Sequence, residues 1–185
     1  MRIFHRSKIY LLKSVIRAYL LKIINFRKIK LSYLVLVGKN SAFFSKNEGK
    51  IVVGRKSFFF DYVEIQSRGF LKIGSNVQVN NYSRIIALEE INIGNNVTIA
   101  QFVSILDHDH QYKINNSGLY LEGYKTAPIN IGDNVWISDK VTILKGVNIG
   151  DNVIIGANSL VNKDVPSNSV VGGVPSRVLK KLSNH

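Results

Sequence analysis

Two histidines near the middle of the chain, His108 and His110, are the side chains best suited to acid–base chemistry. A neutral imidazole can accept a proton near neutral pH, provided that a carbonyl or carboxylate holds its other ring nitrogen. Asp107 and Asp109 are the nearest carboxylates in sequence, although adjacent residues of an extended chain point to opposite sides. The segment could equally be a polar entrance to a loop, and its local spacing favours neither interpretation.

The same two histidines could begin a metal site, because imidazole is a good ligand for zinc and iron. Such a site would need a third ligand, and the central part of the chain has no other histidine. The chain contains no cysteine, which excludes thiolate ligands and disulfide bonds and is compatible with a reducing cytoplasm. Proton transfer, with no metal required, is therefore the preferred prediction.

A repeat of six residues between Ile131 and Pro166 predicts the scaffold that must position these histidines. Its units read IGDNVW, ISDKVT, ILKGVN, IGDNVI, IGANSL and VNKDVP. A period of six fits neither a helix nor a plain strand, and it indicates an all-β solenoid in which each unit is one short strand and one corner. The first residue of each unit should point into the core. The fourth should form the corner with a left-handed backbone: Asn134, Lys140, Gly146, Asn152, Asn158 and Asp164.

Three units close one triangular coil of 18 residues, and stacked coils pair their strands at about 4.8 Å. Earlier in the chain Val53, Ile73 and Ile93 are 20 residues apart, which predicts a two-residue extension of one corner around Leu71–Lys72 and Ile91–Asn92. The pattern stops near Asp107, where a loop should leave the solenoid; such loops are often functional. The predicted boundaries are a helical segment over 1–34, a solenoid over 35–172 with a loop over 107–128, and a tail over 173–185 ending in a short basic helix.

The positive charge is concentrated at the N-terminal end. The chain carries a net charge of +13, and residues 1–47 hold eleven lysines and arginines and no acidic residue. A helix over roughly residues 6–26 would place a basic stripe beside an apolar face. That apolar face could cap the open end of the solenoid, which is the preferred interpretation, or the helix could lie on an anionic membrane surface. The basic stripe comprises Arg2, Arg6, Lys13 and Arg17, and the apolar face Leu12, Val15, Ile16, Tyr19 and Ile23.

A membrane-spanning helix and nucleic-acid binding are both less favoured. No apolar run approaches the roughly 20 residues that span a bilayer. Nucleic acid is disfavoured because no aromatic stacking residues alternate with the basic ones. The basic residues Lys163, Arg177, Lys180 and Lys181 could bind phosphates, but charge counting alone favours an ordinary solvated tail.

The repeat and the tail together resemble the hexapeptide-repeat acyltransferases, which fold as left-handed parallel β-helices. The similarity covers about Ile73 to Leu182 and is carried by IGDNVWI, GVNIGDNVIIGANSLVNKDVP and GVPSRVLKK. It is greatest to the galactoside, maltose and xenobiotic acetyltransferase branch, including relatives that O-acetylate capsule, lipopolysaccharide and exopolysaccharide sugars. The resemblance implies acetyl-CoA as co-substrate and a hydroxyl group as acceptor.

The resemblance also implies roles for particular residues. In that family a histidine at the start of the protruding loop removes the proton of the acceptor hydroxyl, which attacks the thioester directly; His110 takes this position. Asp107, His108 and Asn80 become acceptor contacts, with Asn81 as the alternative to Asn80.

On the cofactor side, Trp136 lies beside the pantetheine arm in this resemblance, while Ala157, Asn162 and Lys163 line the groove. Arg177 and Lys180 contact the phosphates, which reverses the solvated-tail interpretation. The family commonly has glycine and a small residue where this chain has Ser138 and Asp139. A backbone N–H there is expected to hold the thioester oxyanion.

The family works as a homotrimer with its sites in clefts between chains, which brings base, acceptor and thioester together. We therefore expect a cytoplasmic O-acetyltransferase for a sugar hydroxyl of a surface polysaccharide or its precursor, with the inner face of the membrane as a contact surface. Another small acceptor is the first alternative: an antibiotic, a free sugar, serine, or an amino-sugar nucleotide acylated on nitrogen. A metal-dependent hydratase or a non-catalytic scaffold is the second.

Overall fold

The computed structural model describes residues 7–183. Within them the chain forms one helix, α1 (Lys8–Ile24), and then a parallel β-solenoid. The predicted contributions of Arg2 and Arg6, and the two terminal histidines His5 and His185, lie outside the described residues. The strands are β1 (Ile29–Leu31), β2 (Leu36–Val37), β3 (Ala42–Ser45), β4 (Lys50–Val53), β5 (Phe58–Phe59), β6 (Glu64–Ser67), β7 (Phe70–Ile73), β8 (Gln78–Val79), β9 (Arg84–Ala87), β10 (Glu90–Ile93), β11 (Thr98–Ile99), β12 (Ser104–Leu106), β13 (His108–Asn115), β14 (Gly118–Thr126), β15 (Ile129–Ile131), β16 (Trp136–Ile137), β17 (Thr142–Ile143), β18 (Asn148–Ile149), β19 (Val153–Ile155), β20 (Leu160–Val161), β21 (Ser169–Gly172) and β22 (Arg177–Lys181).

Three sheets form the faces of a triangular prism, because each complete coil contributes one strand to each face. The first sheet has the order β1-β4-β7-β10-β15-β18, the second β2-β5-β8-β11-β16-β19-β21-β22, and the third β3-β6-β9-β12-β17-β20. We call the turn from the first to the second sheet corner 1, from the second to the third corner 2, and from the third to the next coil corner 3. The predicted left-handed parallel β-helix of hexapeptide repeats is confirmed.

The hexapeptide pattern places its residues as predicted. The first residue of each repeat is buried in the narrow core, with at most 4% of its surface exposed. The fourth residue adopts a positive φ in five of the six units, which asparagine and glycine tolerate best. Asp164 is the exception: Val165, four positions after Val161, already pairs with the first-place residue Ile149, so this corner is two residues shorter than a full six-residue unit.

The longer coils differ in detail from the prediction. The predicted extensions around Leu71–Lys72 and Ile91–Asn92 lie inside β7 and β10, and the turns themselves are Arg68–Gly69 and Leu88–Glu89. Leu71 and Ile91 are fully buried, so the two extra residues lengthen the strands that flank corner 3 and add to the core. The solenoid also starts at Ile29, ahead of the predicted boundary at residue 35, because β1 pairs with β4.

The segment predicted as a loop over 107–128 is a regular antiparallel hairpin of β13 and β14 that projects from corner 3. A two-residue turn at Asn116–Ser117 joins the strands, and Gly118 follows with a φ of 110°. The register shifts between His110 and Tyr112, opposite Gly123, whose φ is 71°. A bulge of this kind is a common way to redirect side chains beside a functional site.

The C-terminal prediction of a short basic helix is wrong. After a turn over 173–176 the chain reverses and β22 pairs antiparallel with β21, with Gly172 opposite Arg177 and Val170 opposite Lys180. The last parallel strand of a solenoid has an open edge of unpaired backbone groups, and β22 covers it. Local sequence propensity does not show that this edge needs hydrogen-bond partners, so it could not predict the strand.

The helix α1 covers the first coil, but with the face opposite to the predicted one. Ser14 and Ala18 are buried, Ala18 joins the hydrophobic core, and Leu21 packs against that core. Small side chains let the helix backbone approach the coil closely, which is the physical reason for the inversion. The residues predicted to cap the core instead point outward, with 47% to 64% of their surface exposed: Leu12, Val15, Ile16, Tyr19 and Ile23. No helix within residues 7–183 is long and apolar enough to cross a bilayer.

Candidate active site

Asp107 fixes the base of the hairpin at corner 3. Its side chain is fully buried, and its two carboxylate oxygens accept the backbone N–H groups of Leu88, Glu89 and Glu90 at 2.8 to 2.9 Å. Charge-assisted bonds of this kind offset the cost of burying the carboxylate. Asp107 was predicted to contact the acceptor, but it is enclosed by its own chain and acts instead on the position of its neighbours.

Asp107 also holds His108. The Nδ1 atom of His108 lies 3.1 Å from Oδ1 of Asp107, and only 14% of the histidine side chain is exposed. The contact between adjacent residues forms because the backbone bends at Asp107, between β12 and β13. A carboxylate on Nδ1 sets the tautomer in which Nε2 carries the lone pair, which is the arrangement a general base requires.

His110 is more exposed and has different neighbours. It pairs across the hairpin with Tyr124, and the two ring centroids are 4.7 Å apart. The ring of Tyr124 also meets His108 edge to face at 5.4 Å, and the Arg68 guanidinium lies over it at 5.8 Å. Tyr124 therefore links the two histidines, a role that the sequence analysis missed because the pairing register of the hairpin was not predicted.

We call the edge of corner 3 that carries His108 and His110 the histidine rim, and an open cavity of about 550 Å³ lies beside His110 there. His110 lines it together with Asp109 and Lys145, which form an ion pair. Asp109 is thus turned away from the histidine rings and toward corner 3 of the following coil. The remaining lining residues come from the hairpin: Gln111, Tyr112, Lys113, Glu122 and Lys125.

The predicted cofactor residues form two groups. Trp136, Ser138, Asp139 and Ala157 follow the second sheet to corner 2 in adjacent coils, and 52% of the Trp136 surface is exposed. Trp136, Ile154, Val170 and Lys180 are successive partners on this sheet, and Arg177 lies on the same strand as Lys180. A continuous surface therefore runs from the tryptophan to the basic residues.

The remaining cofactor candidates lie elsewhere. Asn162 and Lys163 are exposed at corner 3, on the side of the prism that carries the histidines. Asn80 directly follows β8, next to corner 2, where its amide donates to the carbonyl of Ile99 at 2.8 Å. Within one chain, the whole width of the third sheet therefore separates His108 and His110 from Asn80 and Asp139.

Corner 2 also shows which backbone N–H is available to an oxyanion. The N–H of Ser138 donates to the carbonyl of Ile155 at 3.0 Å, so it is occupied. At the same corner, the N–H of Lys39 donates to the carboxylate of Asp61 in the next coil, and that of Gln101 donates to Asp139 in the same way at 2.9 Å.

By this register the N–H of Asp139 faces Ala157, whose methyl group offers no acceptor. The carboxylate of Asp139 meanwhile points back to Gln101, away from Ala157. The arrangement presents a backbone donor at corner 2 and keeps the acidic side chain from facing it.

Comparisons with known proteins agree with this architecture. Residues 128–163 match the family model described as "Bacterial transferase hexapeptide (six repeats)". The putative lipopolysaccharide biosynthesis O-acetyl transferase WbbJ of Escherichia coli K12 is 38% identical over 125 residues, which cover 64% of this chain and 63% of the relative. The galactoside O-acetyltransferase of the same organism is 41% identical over 116 residues, covering 62% and 55%. The chain thus spans less than two thirds of either relative.

Solved structures show the same fold. The N-acyltransferase AntD of Bacillus cereus, in a mutant complexed with dTDP-4-amino-4,6-dideoxyglucose and coenzyme A, superposes with a TM-score of 0.71 at 22% identity over 90% of each chain. The hexapeptide-repeat acetyltransferase VCA0836 of Vibrio cholerae, complexed with acetyl coenzyme A, superposes with a TM-score of 0.55 at 26% identity over 92% of this chain and 78% of the other. The repeat over residues 128–163 is thus matched in sequence to a hexapeptide transferase family, and the solenoid as a whole has the fold of these acyltransferase structures.

Proposed function

We propose that the protein is an acetyl-CoA-dependent O-acetyltransferase for a sugar hydroxyl of a bacterial surface polysaccharide or its precursor. The observation that carries the proposal is the buried Asp107 carboxylate on Nδ1 of His108, since a hydroxyl acceptor must lose a proton to attack a thioester. Similarity to the two Escherichia coli O-acetyltransferases supports the acetyl donor and the carbohydrate acceptor. We place the reaction in the cytoplasm.

The proposed reaction is a direct transfer. Nε2 of His108 removes the proton of the sugar hydroxyl while the hydroxyl oxygen attacks the thioester carbonyl carbon. The resulting oxyanion accepts a hydrogen bond from the backbone N–H of Asp139, and the tetrahedral intermediate then expels the thiolate of CoA. The imidazolium returns its proton to that thiolate, which leaves acetylated sugar, free CoA and a neutral histidine.

We assign the base to His108. The resemblance to the family aligns His110 with this role, and His110 keeps a place in the proposal as a lining residue of the acceptor cavity. A free imidazole can rotate and exchange tautomers, whereas the Asp107–His108 contact holds one ring orientation and one tautomer. The same contact stabilises the imidazolium that forms during transfer.

The proposal includes assembly as a homotrimer. The histidine rim and the Asp139 N–H lie on different corners of one chain, so transfer requires corner 3 of one chain to face corner 2 of another. The hairpin suits such a contact, because it projects from the prism and its tip carries exposed apolar side chains: Tyr112, Ile114, Leu119 and Leu121.

The test combines binding and transfer in matched variants. Wild type, His108→Ala and His110→Ala are titrated with CoA by calorimetry, and each is expressed in cells that lack the protein before mass spectrometry of their surface glycans. We expect CoA to bind all three, and O-acetylation to fall by about a hundredfold or more in His108→Ala and by roughly tenfold in His110→Ala.

Two outcomes would contradict the proposal. Unchanged acetylation in His108→Ala together with loss in His110→Ala would move the base to His110. Folded wild-type protein that fails to bind CoA would remove the transferase assignment itself.

A further inference from the structure

An apolar surface on α1 is left uncovered by every other part of residues 7–183. We call it the outer face of α1, and between 47% and 67% of the surface of each of its side chains is exposed. Water-exposed apolar patches of this extent normally mark a binding surface. The outer face comprises Ile9, Leu12, Ile16, Tyr19, Leu20 and Ile23.

The packing of the opposite side fixes the orientation of this face. Ile23 follows Ser14 by nine residues, which places it about 180° around the helix. Ser14 is fully buried, and the Arg17 guanidinium donates to the carbonyl of Val37 at 3.4 Å. At the start of the helix the Tyr10 hydroxyl donates to Asp61 at 2.6 Å. The helix cannot turn its apolar side inward without breaking these contacts.

Basic side chains border the outer face on both sides. By the same 100° step per residue, Lys8 and Lys22 lie along one border, and Lys13 and Arg17 along the other. Residues 7–47 contain no acidic side chain that could neutralise them. An apolar centre with basic borders is complementary to a surface that is anionic outside and apolar below.

The apolar surface continues onto the first coil. Tyr33 and Leu34 at corner 1 are 58% and 62% exposed, and they line one groove together with Tyr19 and Lys22 of the helix. Phe26, just after the helix, is 65% exposed. The patch therefore occupies one end of the prism rather than a single helical stripe.

We propose that this end of the protein binds an anionic lipid bilayer, with α1 lying in the plane of the interface and its outer face inserted among the acyl chains. The basic borders would contact lipid phosphates. Such binding combines apolar burial with electrostatic attraction, and it weakens as salt screens the charges.

The position of the helix also sets the height of the proposed active site above the bilayer. The histidine rim belongs to the fourth coil, three coil steps from the first coil that the helix covers, which is about 15 Å at the spacing of paired strands. If the proposed function holds, a sugar linked to a membrane lipid would be presented at this height. Lipid binding itself requires neither acceptor nor CoA, so it can fail or succeed independently of the transferase proposal.

The test uses the full chain and sedimentation with vesicles of phosphatidylcholine, alone or mixed with phosphatidylglycerol. The apolar variant is Leu12→Ser/Ile16→Ser/Ile23→Ser, and its control is Val174→Ser/Val178→Ser/Leu179→Ser, three exposed apolar side chains at the other end of the prism. We expect the mixed vesicles to bind wild type and the control alike, and to bind the apolar variant at least about a hundredfold more weakly.

A second pair of variants tests the charge component. Lys8→Gln/Lys13→Gln/Lys22→Gln should bind the mixed vesicles roughly tenfold to a hundredfold more weakly. The control Lys72→Gln/Lys125→Gln/Lys140→Gln, with the same loss of net charge elsewhere, should remain close to wild type. Circular dichroism establishes that all variants are folded.

Equal vesicle binding by the apolar variant and wild type would overturn the proposal. Absence of vesicle binding in wild type would overturn it as well. A change of oligomeric mass in the apolar variant, measured by light scattering, would then identify the outer face as a contact between protein chains.

Discussion

At the scale of single residues, the backbone N–H of Asp139 is the group whose surroundings can be tested most directly. Lys39 and Gln101 occupy the same corner in other coils, and each donates its N–H to a carboxylate of the next coil. For the N–H of Asp139, the equivalent acceptor position in the next coil is residue 157, and this chain has alanine there. The small residue leaves the donor accessible from solvent.

We predict that Ala157→Asp abolishes transfer without unfolding the protein. The new carboxylate should accept the N–H of Asp139 as Asp139 accepts that of Gln101, so the corner gains a hydrogen bond and loses its oxyanion donor. Loss of one such donor lowers the catalytic rate by about a hundredfold or more. The measurement is the rate of acetyl transfer, alongside thermal unfolding.

The matched control for this variant is Ala157→Leu, which has a side chain of similar length without an acceptor. It should leave the Asp139 donor intact and retain measurably more activity than Ala157→Asp at saturating acetyl-CoA. Equal rates in Ala157→Asp and wild type would show that the oxyanion is held elsewhere.

At the scale of elements, close backbone contact between coils limits the first sheet. Gly54, Gly74, Gly94, Gly132 and Gly150 follow equivalent strands of successive coils. A Cβ at Gly94 would lie 2.6 Å from the carbonyl oxygen of Gly132, and that backbone oxygen cannot move without disturbing the next coil. These glycines are needed for close approach rather than for a left-handed turn.

We therefore predict that Gly94→Ala lowers the free energy of unfolding by about 3 kcal/mol. Gly156→Ala is the matched control, because the nearest atom to its new Cβ would be the Val171 carbonyl oxygen at 3.4 Å, an ordinary contact; its effect should stay within about 1 kcal/mol. Urea denaturation at one protein concentration measures both. Similar midpoints for the two variants would contradict the steric argument.

The elements also show what the sequence can and cannot predict. The coils were predictable because burial and corner geometry recur within six residues, as at Ile137 and Lys140. The basic tail was predicted as a helix, but the open edge of β21 imposes a strand, and this demand comes from a neighbouring strand rather than from residues 177–181 themselves. The face of α1 was inverted for a similar reason, since packing selected Ser14 and Ala18 over larger side chains.

The candidate site, like the fold, was predictable only where the repeat determines it. The histidines were located from the point where the repeat ends, but the partner of His108 depends on a backbone bend at Asp107 that no periodicity reveals. Tyr124 reaches the histidines through a hairpin register interrupted at Gly123. Features set by non-local pairing were missed, whereas features set by the repeat were found.

At the scale of the whole molecule, the proposed chemistry is divided between two corners of the prism. The histidine rim lies at corner 3 in the fourth coil, and the Asp139 donor lies at corner 2 in the fifth. The third sheet separates them within one chain. The division predicts that each active site combines corner 3 of one chain with corner 2 of its neighbour.

Complementation between two inactive variants tests this division. His108→Ala damages corner 3 and leaves corner 2 intact, whereas Ala157→Asp does the reverse. Each variant alone should be inactive. In trimers assembled at random from equal amounts of both, about a quarter of the interfaces would join two intact halves, so the mixture should recover about a quarter of the wild-type rate. Different affinity tags on the two variants verify that mixed trimers form. Mixed trimers that remain as inactive as either parent would contradict a site shared between chains, because no pairing of the two variants would then restore it.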